Sequence, residues 1–324
     1  MTERLSDSLS TRFPRLAILD VARGLAVVAM AIYHFSWDLS WFGFVDWSVS
    51  QGQGWRIFAA CIAGSFLFLA GISLDLAHHQ GIKWRSFWKR EAIIIAAAVV
   101  VSAVTFFTFG DSFVRFGILH SIAAASLIAL PFSRLPLATT VAAAAIFLSM
   151  PMWASAPFFD GPLWLWTGLG NTGHASVDYV PVAPWAGVTL MGVAVSSFAR
   201  KFDLWPKLSV FRFDGLAGKF SRWLGRHSLP IYLLHQPVLY GLVSLAASFG
   251  TGADRAGISF IQSCTQNCQA TWNTPEVCKS ACTCTLTHLK ADDIWLQLTQ
   301  EPENISLRAQ MNNHHALCLA DPER

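Results

Sequence analysis

Long apolar stretches alternate along this chain with short polar connections. Seven of them are long enough, at about 20 residues, to cross a bilayer as helices, and they lie at about 17–37, 56–77, 91–109, 115–132, 136–154, 181–199 and 228–249. After residue 250 the chain turns polar, and no further stretch of that length follows. The pattern predicts an all-α fold, a polytopic membrane helix bundle of about seven transmembrane helices with a small Cys-rich C-terminal tail.

The composition supports this membrane assignment. The 324 residues are 53% hydrophobic and only 13% charged, with a mean hydropathy of +0.43, whereas soluble domains carry about 25% charged residues. The net charge of +3 does not indicate nucleic-acid binding, because the basic residues cluster in connections between apolar stretches. We expect no cleavable leader, since Asp20 and Arg23 interrupt the first apolar stretch. The predicted divisions are an N-terminal tail 1–15, a transmembrane domain 16–250 and a tail 251–324.

The basic residues also predict which loops face the cytoplasm. They concentrate before the first stretch, in the connections 78–90 and 200–227 and at Arg134, whereas the loops 38–55 and 155–180 contain no Lys or Arg. Cytoplasmic loops carry the excess of positive charge. We therefore expect a multi-pass membrane protein whose N-terminus is cytoplasmic. With seven spans, the C-terminal tail would lie outside.

The first apolar stretch carries four ionisable residues: Asp20, Arg23, His34 and Asp38. On a helix with 3.6 residues per turn they fall in one narrow stripe, with Arg23 and His34 roughly 16 Å apart along the axis. Ionisable groups inside a membrane segment are costly and usually functional. The stripe predicts a site that extends across part of the membrane.

The residue types in this stripe suit group transfer. A neutral imidazole at His34 can take a proton from an incoming hydroxyl or amine, or briefly hold an acyl group. Asp38 can orient that ring, and Arg23 can bind phosphate groups of a donor through paired hydrogen bonds. Asp20 either belongs to the same donor site or simply neutralises Arg23.

Further polar candidates lie in other apolar stretches. We place His120 and His235 with the catalytic residues and Asp75 with the donor-binding residues, although a buried histidine can equally be a packing residue. Tryptophans also gather in or beside the two loops predicted to be outside. They form either an interfacial aromatic belt or flat surfaces for a sugar acceptor. The eight are Trp37, Trp41, Trp47, Trp55, Trp153, Trp164, Trp166 and Trp185.

Six of the seven cysteines lie in the tail, at Cys264, Cys268, Cys278, Cys282, Cys284 and Cys318. Two Cys-x3-Cys pairs separated by nine residues would each lie on one face of a short helix, which suits a helical hairpin tied by disulfides. An even count in an oxidising compartment favours disulfides. A thiolate metal site that includes His288, or free thiols, are the alternatives. A cytoplasmic tail would favour the metal. We expect no metal overall.

Several segments resemble one known family. The opening LDVARGLAVVAMAIYHFSWDL resembles the bacterial branch of the heparan-alpha-glucosaminide N-acetyltransferase catalytic-domain family, within the transmembrane acyltransferase superfamily. FLFLAGISL, RFGILHSIAAASLI, APWAGVTLMGVAV and LGRHSLPIYLLHQPVL are similar to it in the same order. The resemblance covers about 15–250. Seven spans are fewer than the ten or so of the wider superfamily, and the tail has no counterpart.

The resemblance implies an acyltransferase of the bacterial inner membrane that uses cytoplasmic acetyl-CoA to acylate an acceptor across the membrane, which would make the C-terminal tail periplasmic. It implies that His34 is the catalytic histidine and Arg23 a donor-side residue. The expected acceptor is an envelope glycan or another molecule with a hydroxyl or amine, and a homo-oligomer is compatible with these features. Two alternatives remain: a proton-coupled transporter, and a non-catalytic membrane subunit that docks a periplasmic partner through its tail.

Overall fold

A computed structural model describes residues 16–45, 47, 49, 52–171, 176–251, 255–272 and 275–321. The predicted N-terminal tail 1–15 lies outside the described residues. Within them the fold is helical, with one isolated bridge between Phe116 and Tyr179 and no β-strand. The α-helices are α1 Ala17–Trp41, α2 Gln53–His78, α3 Trp84–Phe109, α4 Ile118–Ala129, α5 Leu137–Trp153, α6 Val182–Lys201, α7 Leu204–Leu208, α8 Leu216–Arg226, α9 Ser228–Ala246, α10 Arg255–Trp272, α11 Pro275–Ala291, α12 Ile294–Gln300 and α13 Ile305–Ala320.

Each of the seven predicted apolar stretches contains a helix, which confirms an all-α, multi-pass architecture. In the described part of the chain, five helices are long and apolar enough to cross a membrane: α1, α2, α3, α6 and α9. The other two, α4 and α5, are shorter apolar helices. Proline explains part of the difference, because α4 ends at Ala129 and Pro131, two residues later, has no backbone N–H with which to continue the helix.

The chain divides into two compact units. The first unit comprises residues 1–32 and 57–236, and the second comprises 33–56 and 237–324. In the first unit, α6 supplies Leu190 and Val193 to a fully buried core, together with Leu74 of α2 and Phe87 of α3. The predicted boundaries at residues 15 and 250 stay predictions.

Glycines allow α2 and α6 to approach each other closely within the first unit. A Cβ added to Gly71 would overlap the backbone carbonyl of Thr189, and one added to Gly192 would overlap that of Phe68. Between membrane helices there is little hydrophobic driving force, so close packing through small residues is a common source of stability. The two glycines therefore fix the distance between these helices.

Helix α8 packs in the same close manner against the start of α1. A Cβ on Gly225 would overlap the carbonyl of Asp20, and the Ser221 hydroxyl donates a hydrogen bond of 3.1 Å to the carbonyl of Val21. The basic residues of this segment predicted only a cytoplasmic loop. In the structure it is a helix that brings Arg226, at its last turn, to the start of α1.

The tail is held together by disulfides and a small core. Cys264–Cys282 and Cys268–Cys278 join α10 to α11, and Cys284–Cys318 joins α11 to α13. The predicted disulfide-tied helical hairpin is therefore confirmed in α10 and α11. A cluster of buried apolar residues supports α11, α12 and α13: Leu289, Ile294, Leu298 and Leu307.

Candidate active site

Charged side chains gather at one end of the first unit, where α1 and α8 meet. The buried carboxylate of Asp20 accepts a hydrogen bond of 3.1 Å from Nε of Arg226 and lies 3.4 Å from Nη1 of Arg23. Arg23 also donates to the hydroxyl of Ser73 on α2. One carboxylate thus contacts two guanidinium groups, whose side chains are 25% exposed at Arg23 and 45% exposed at Arg226.

A second ion pair links α2 to α6. The guanidinium of Arg200 donates to both carboxylate oxygens of Asp75, at 2.9 and 2.8 Å, and Asp75 is fully buried. Planar two-point contacts of this kind are among the stronger hydrogen bonds in proteins. The predicted donor-binding residue Asp75 is therefore paired with Arg200, and a direct role in donor binding stays a prediction.

We call these five residues, Asp20, Arg23, Asp75, Arg200 and Arg226, the basic end of the first unit. Their formal charges are three positive and two negative, which gives +1. Phosphate groups bind well to such guanidinium forks. The basic end can therefore hold an anionic group of a donor molecule.

The two outer residues of the predicted stripe, His34 and Asp38, lie in the second unit on the later turns of α1. His34 is half-buried, with its ring edge-on to Tyr33 at 5.5 Å between centroids, and Asp38 is fully buried. A spacing of four residues puts them on the same helix face. This spacing allows Asp38 to orient the His34 ring.

Aromatic rings surround this part of the second unit. Trp37 stacks on Trp41 at 5.0 Å between centroids, and Trp47 stacks on Trp55 at 6.0 Å. Tyr33 packs against Trp55 at 6.2 Å. Both interpretations of the tryptophans, the interfacial belt and the sugar-binding surface, fit these stacked pairs.

The hydrogen bonds of His120 account for both ring nitrogens. Nδ1 accepts from the backbone N–H of Gly117 at 3.3 Å, and Nε2 lies 3.4 Å from the Ser102 hydroxyl. That hydroxyl uses its own proton in a hydrogen bond to the carbonyl of Val114. Its contact with Nε2 therefore requires the proton to be on Nε2. The network therefore assigns the neutral Nε2–H tautomer, with His120 capping the start of α4.

His235 lies on α9 beside Tyr232. Its Nδ1 lies 2.7 Å from the backbone carbonyl of Tyr232, and the two rings are 5.7 Å apart. A carbonyl oxygen is only an acceptor, so Nδ1 carries the proton. The catalytic assignments of His120 and His235 stay predictions, and the contacts described here are structural ones.

Asp178 is a polar residue that the sequence analysis did not select. Its Oδ2 accepts a hydrogen bond of 3.0 Å from the backbone N–H of Ile118 at the start of α4. Burial raises the pKa of this carboxyl from 3.8 to about 6, while the hydrogen bond from Ile118 opposes the rise. This carboxyl is therefore harder to ionise than an exposed aspartate.

The family model for the catalytic region of heparan-alpha-glucosaminide N-acetyltransferase matches residues 15–237, which is more than half of the chain. The chain belongs to this family. Membership makes it a membrane-bound acyltransferase and confirms the resemblance, while its place in the bacterial branch stays a prediction. Comparison with curated proteins and with solved structures gives no match.

The family match ends at residue 237, before the tail of this acetyltransferase begins. It includes every residue of the basic end, and also His34, Asp38, His120 and His235. The cysteines of α10, α11 and α13 lie outside it. These cysteines therefore lie in a part of the chain that the family match does not cover.

Sequence reasoning missed several partners in this acetyltransferase for different reasons. Arg200 and Arg226 were visible only as charges that set topology, and Ser73 carried no signal beside its apolar neighbours. Asp178 caps a helix that starts 60 residues earlier, which no local pattern reveals.

Proposed function

We propose that this acetyltransferase moves an acetyl group from cytoplasmic acetyl-CoA to an amine or hydroxyl of an envelope glycan on the outer side of the bacterial inner membrane. The observation that carries the proposal is the composition of α1. This single helix has Arg23 in the basic end and His34 three turns later. A transfer between two compartments needs a donor-binding group and a proton-accepting group at different depths.

The basic end supports binding of the donor. Coenzyme A carries several phosphate charges, and Arg23 and Arg226 present partly exposed guanidinium groups beside one carboxylate. Asp20 holds the two arginines together and lowers their mutual repulsion. The contact between Asp75 and Arg200 fixes α2 against α6, so we assign that pair to positioning.

His34 supports the transfer step. The acceptor's nucleophilic atom forms a bond to the acetyl carbon, the thioester bond breaks, and coenzyme A leaves as the thiol. A neutral imidazole takes the proton that the acceptor loses, or accepts the acetyl group first and passes it on. Asp38 orients the ring and stabilises its charged form.

The positions of the basic residues and of the disulfides support the proposed orientation of the chain in the membrane. The connections 78–90 and 200–227, which adjoin the residues of the basic end in sequence, are rich in Lys and Arg, as expected for a cytoplasmic face. The tail contains three disulfides, which persist in oxidising compartments such as the periplasm. We therefore assign the N-terminus to the cytoplasm and the tail to the periplasm.

The acceptor proposed here is a carbohydrate. The family description names a glucosaminide, and the stacked tryptophans near His34 offer flat surfaces on which a sugar ring can pack. Glucosamine is therefore a suitable probe acceptor, since it offers both an amine and hydroxyls.

The test is transfer of labelled acetyl from acetyl-CoA to glucosamine by the purified chain in detergent. We expect His34→Ala to lower kcat/KM by roughly 10²-fold to 10⁴-fold, the usual range for loss of a general base. Arg23→Ala should chiefly raise KM for acetyl-CoA. The matched controls are His227→Ala and Arg134→Ala, two exposed residues whose replacement should change neither constant. Equal rates for the wild type and His34→Ala would contradict the assigned roles.

A further inference from the structure

A cavity in the tail combines a disulfide with two histidines. It has a volume of about 170 Å³ and is lined by Cys284, His288, His314, Leu317 and Cys318. His288 follows Cys284 by one helical turn on α11, and His314 precedes Cys318 by one turn on α13. The four polar side chains therefore face one another across two helices that the Cys284–Cys318 bond joins.

Three of these side chains already lie within the distances of a metal site, and His314 contacts one of the three. One donor atom from each of Cys284, His288 and Cys318 lies within 4.8 Å of the other two. The rings of His288 and His314 stack at 5.7 Å between centroids with an angle of 10°. Two sulfurs and two imidazoles are a common ligand set for tetrahedral zinc.

Asp292 supplies the second feature of such a site. Its Oδ2 lies 3.2 Å from Nε2 of His314. Histidines that bind a metal through one ring nitrogen usually donate from the other to a carboxylate, which fixes the ring and the tautomer. Nδ1 of His314 is then the nitrogen left to bind a metal.

The metal site can exist only when the Cys284–Cys318 bond is reduced, because two sulfurs joined in a disulfide are not thiolate ligands. We propose that a dithiol reductant opens Cys284–Cys318 and that the reduced tail then binds one zinc ion through Cys284, Cys318, His288 and His314. The reductant is oxidised to its own disulfide as two electrons and two protons pass to the cysteines. Zinc binding then releases both thiol protons.

The other disulfides provide an internal comparison. Cys264, Cys282 and His315 also bring their donor atoms within 4.8 Å, but Nδ1 of His315 is hydrogen-bonded to the Thr285 hydroxyl at 3.1 Å. The two groups have the same number of donor atoms within that distance, so the hydrogen bond at His315 is what distinguishes them. In the part of the chain that the structure describes, Cys268 and Cys278 belong to no such group.

The experiment is a zinc titration of the full-length protein in detergent, before and after reduction with a phosphine that does not itself bind zinc strongly. Cobalt serves as a spectroscopic substitute for zinc, because it shows sulfur-to-metal charge transfer when thiolates bind it. We expect one tight zinc equivalent per chain after reduction and none before. Absence of binding in the reduced protein, or equal binding in the oxidised protein, would overturn the proposal.

Variants distinguish zinc binding at this site from unspecific binding of zinc to other histidines. His288→Ala/His314→Ala should remove the tight equivalent, and Asp292→Asn should weaken it by about 10-fold to 100-fold, whereas the matched control His315→Ala should retain it. Helical content and thiol counts of the oxidised variants show whether the tail still folds. Retention of the tight equivalent by His288→Ala/His314→Ala, or its loss in His315→Ala alone, would also overturn the proposal.

Discussion

The first unit and the tail reach a stable helical structure by different means. In the first unit, α2 and α6 touch through Gly71 and Gly192, and the buried Asp75–Arg200 pair joins the same two helices. In the tail, three disulfides join α10, α11 and α13 around a few buried apolar residues. Close packing dominates one region and covalent links dominate the other.

The difference follows from size and solvent. Between apolar membrane helices, packing and polar contacts supply most of the association energy. A polar segment of under 80 residues has a core too small to fold by burial alone and usually needs disulfides or a metal. The comparison therefore predicts that the first unit is sensitive to added volume and the tail to reduction.

Added volume between α2 and α6 should have the largest effect. We expect Gly71→Ala and Gly192→Ala each to lower the free energy of unfolding by about 3 kcal/mol or more, the upper part of the range for overpacking, because the new Cβ meets a backbone carbonyl that cannot rotate away. Thermal unfolding followed by size-exclusion chromatography measures this loss. The control is Gly54→Ala on the same helix, where a Cβ meets nothing within 4 Å. If the Gly71→Ala protein unfolds at the same temperature as the Gly54→Ala protein, the close approach of α2 to α6 is wrong.

Loss of the buried ion pair should come next. Asp75→Asn leaves the charge of Arg200 without its two-point partner, and we expect a loss of about 3 kcal/mol, the lower part of the range for a broken buried pair because Arg200 is 23% exposed. The apolar double replacement Asp75→Leu/Arg200→Met should recover most of this loss. If the double variant folds but its KM for acetyl-CoA rises sharply, the pair belongs to donor binding rather than to positioning.

Removal of one tail disulfide should have a smaller and more local effect. Cys268→Ser/Cys278→Ser opens a loop of 10 residues, and we expect the tail to lose about 2–3 kcal/mol. Proteolysis of the tail should accelerate, while acetyl transfer stays unchanged because the family match excludes the tail. A large fall in transfer activity would show that the tail takes part in catalysis.

The smallest effect should come from Asp178, and it depends on pH. Burial raises the pKa of this carboxyl to about 6, so between about pH 4 and 6 the folded chain binds more protons there than the unfolded chain, and stability falls as the pH rises. Asp178→Asn keeps an acceptor for the Ile118 N–H without the charge. We expect its Tm to exceed that of the wild type by about 1–3 °C at pH 7.5 and to equal it at pH 4. A wild type that is the more stable of the two at pH 7.5 would contradict this.

Local patterns predicted the helices and the hairpin of the tail. Apolar stretches located the helices, and the Cys-x3-Cys spacing indicated the pairing of α10 with α11, because both signals come from residues close in sequence. The shortness of α4 was not predicted, since its limits depend on Gly117 and Pro131 within an apolar segment.

Local sequence patterns could not predict the long-range contacts. The partners of Asp20 and Asp75 are Arg226 and Arg200, 206 and 125 residues away. In the sequence these arginines are indistinguishable from other basic residues that set topology. Only the packing of Gly225 against the start of α1 decides which arginine reaches Asp20.

The most direct measurement of transfer across the membrane uses sealed vesicles that hold glucosamine inside, with labelled acetyl-CoA added outside. Chains whose basic end faces outwards should label the trapped glucosamine. His34→Ala chains should not, and Arg23→Ala chains should need more acetyl-CoA. Label on glucosamine only when donor and acceptor share one side, or equal labelling by His34→Ala, would contradict the account.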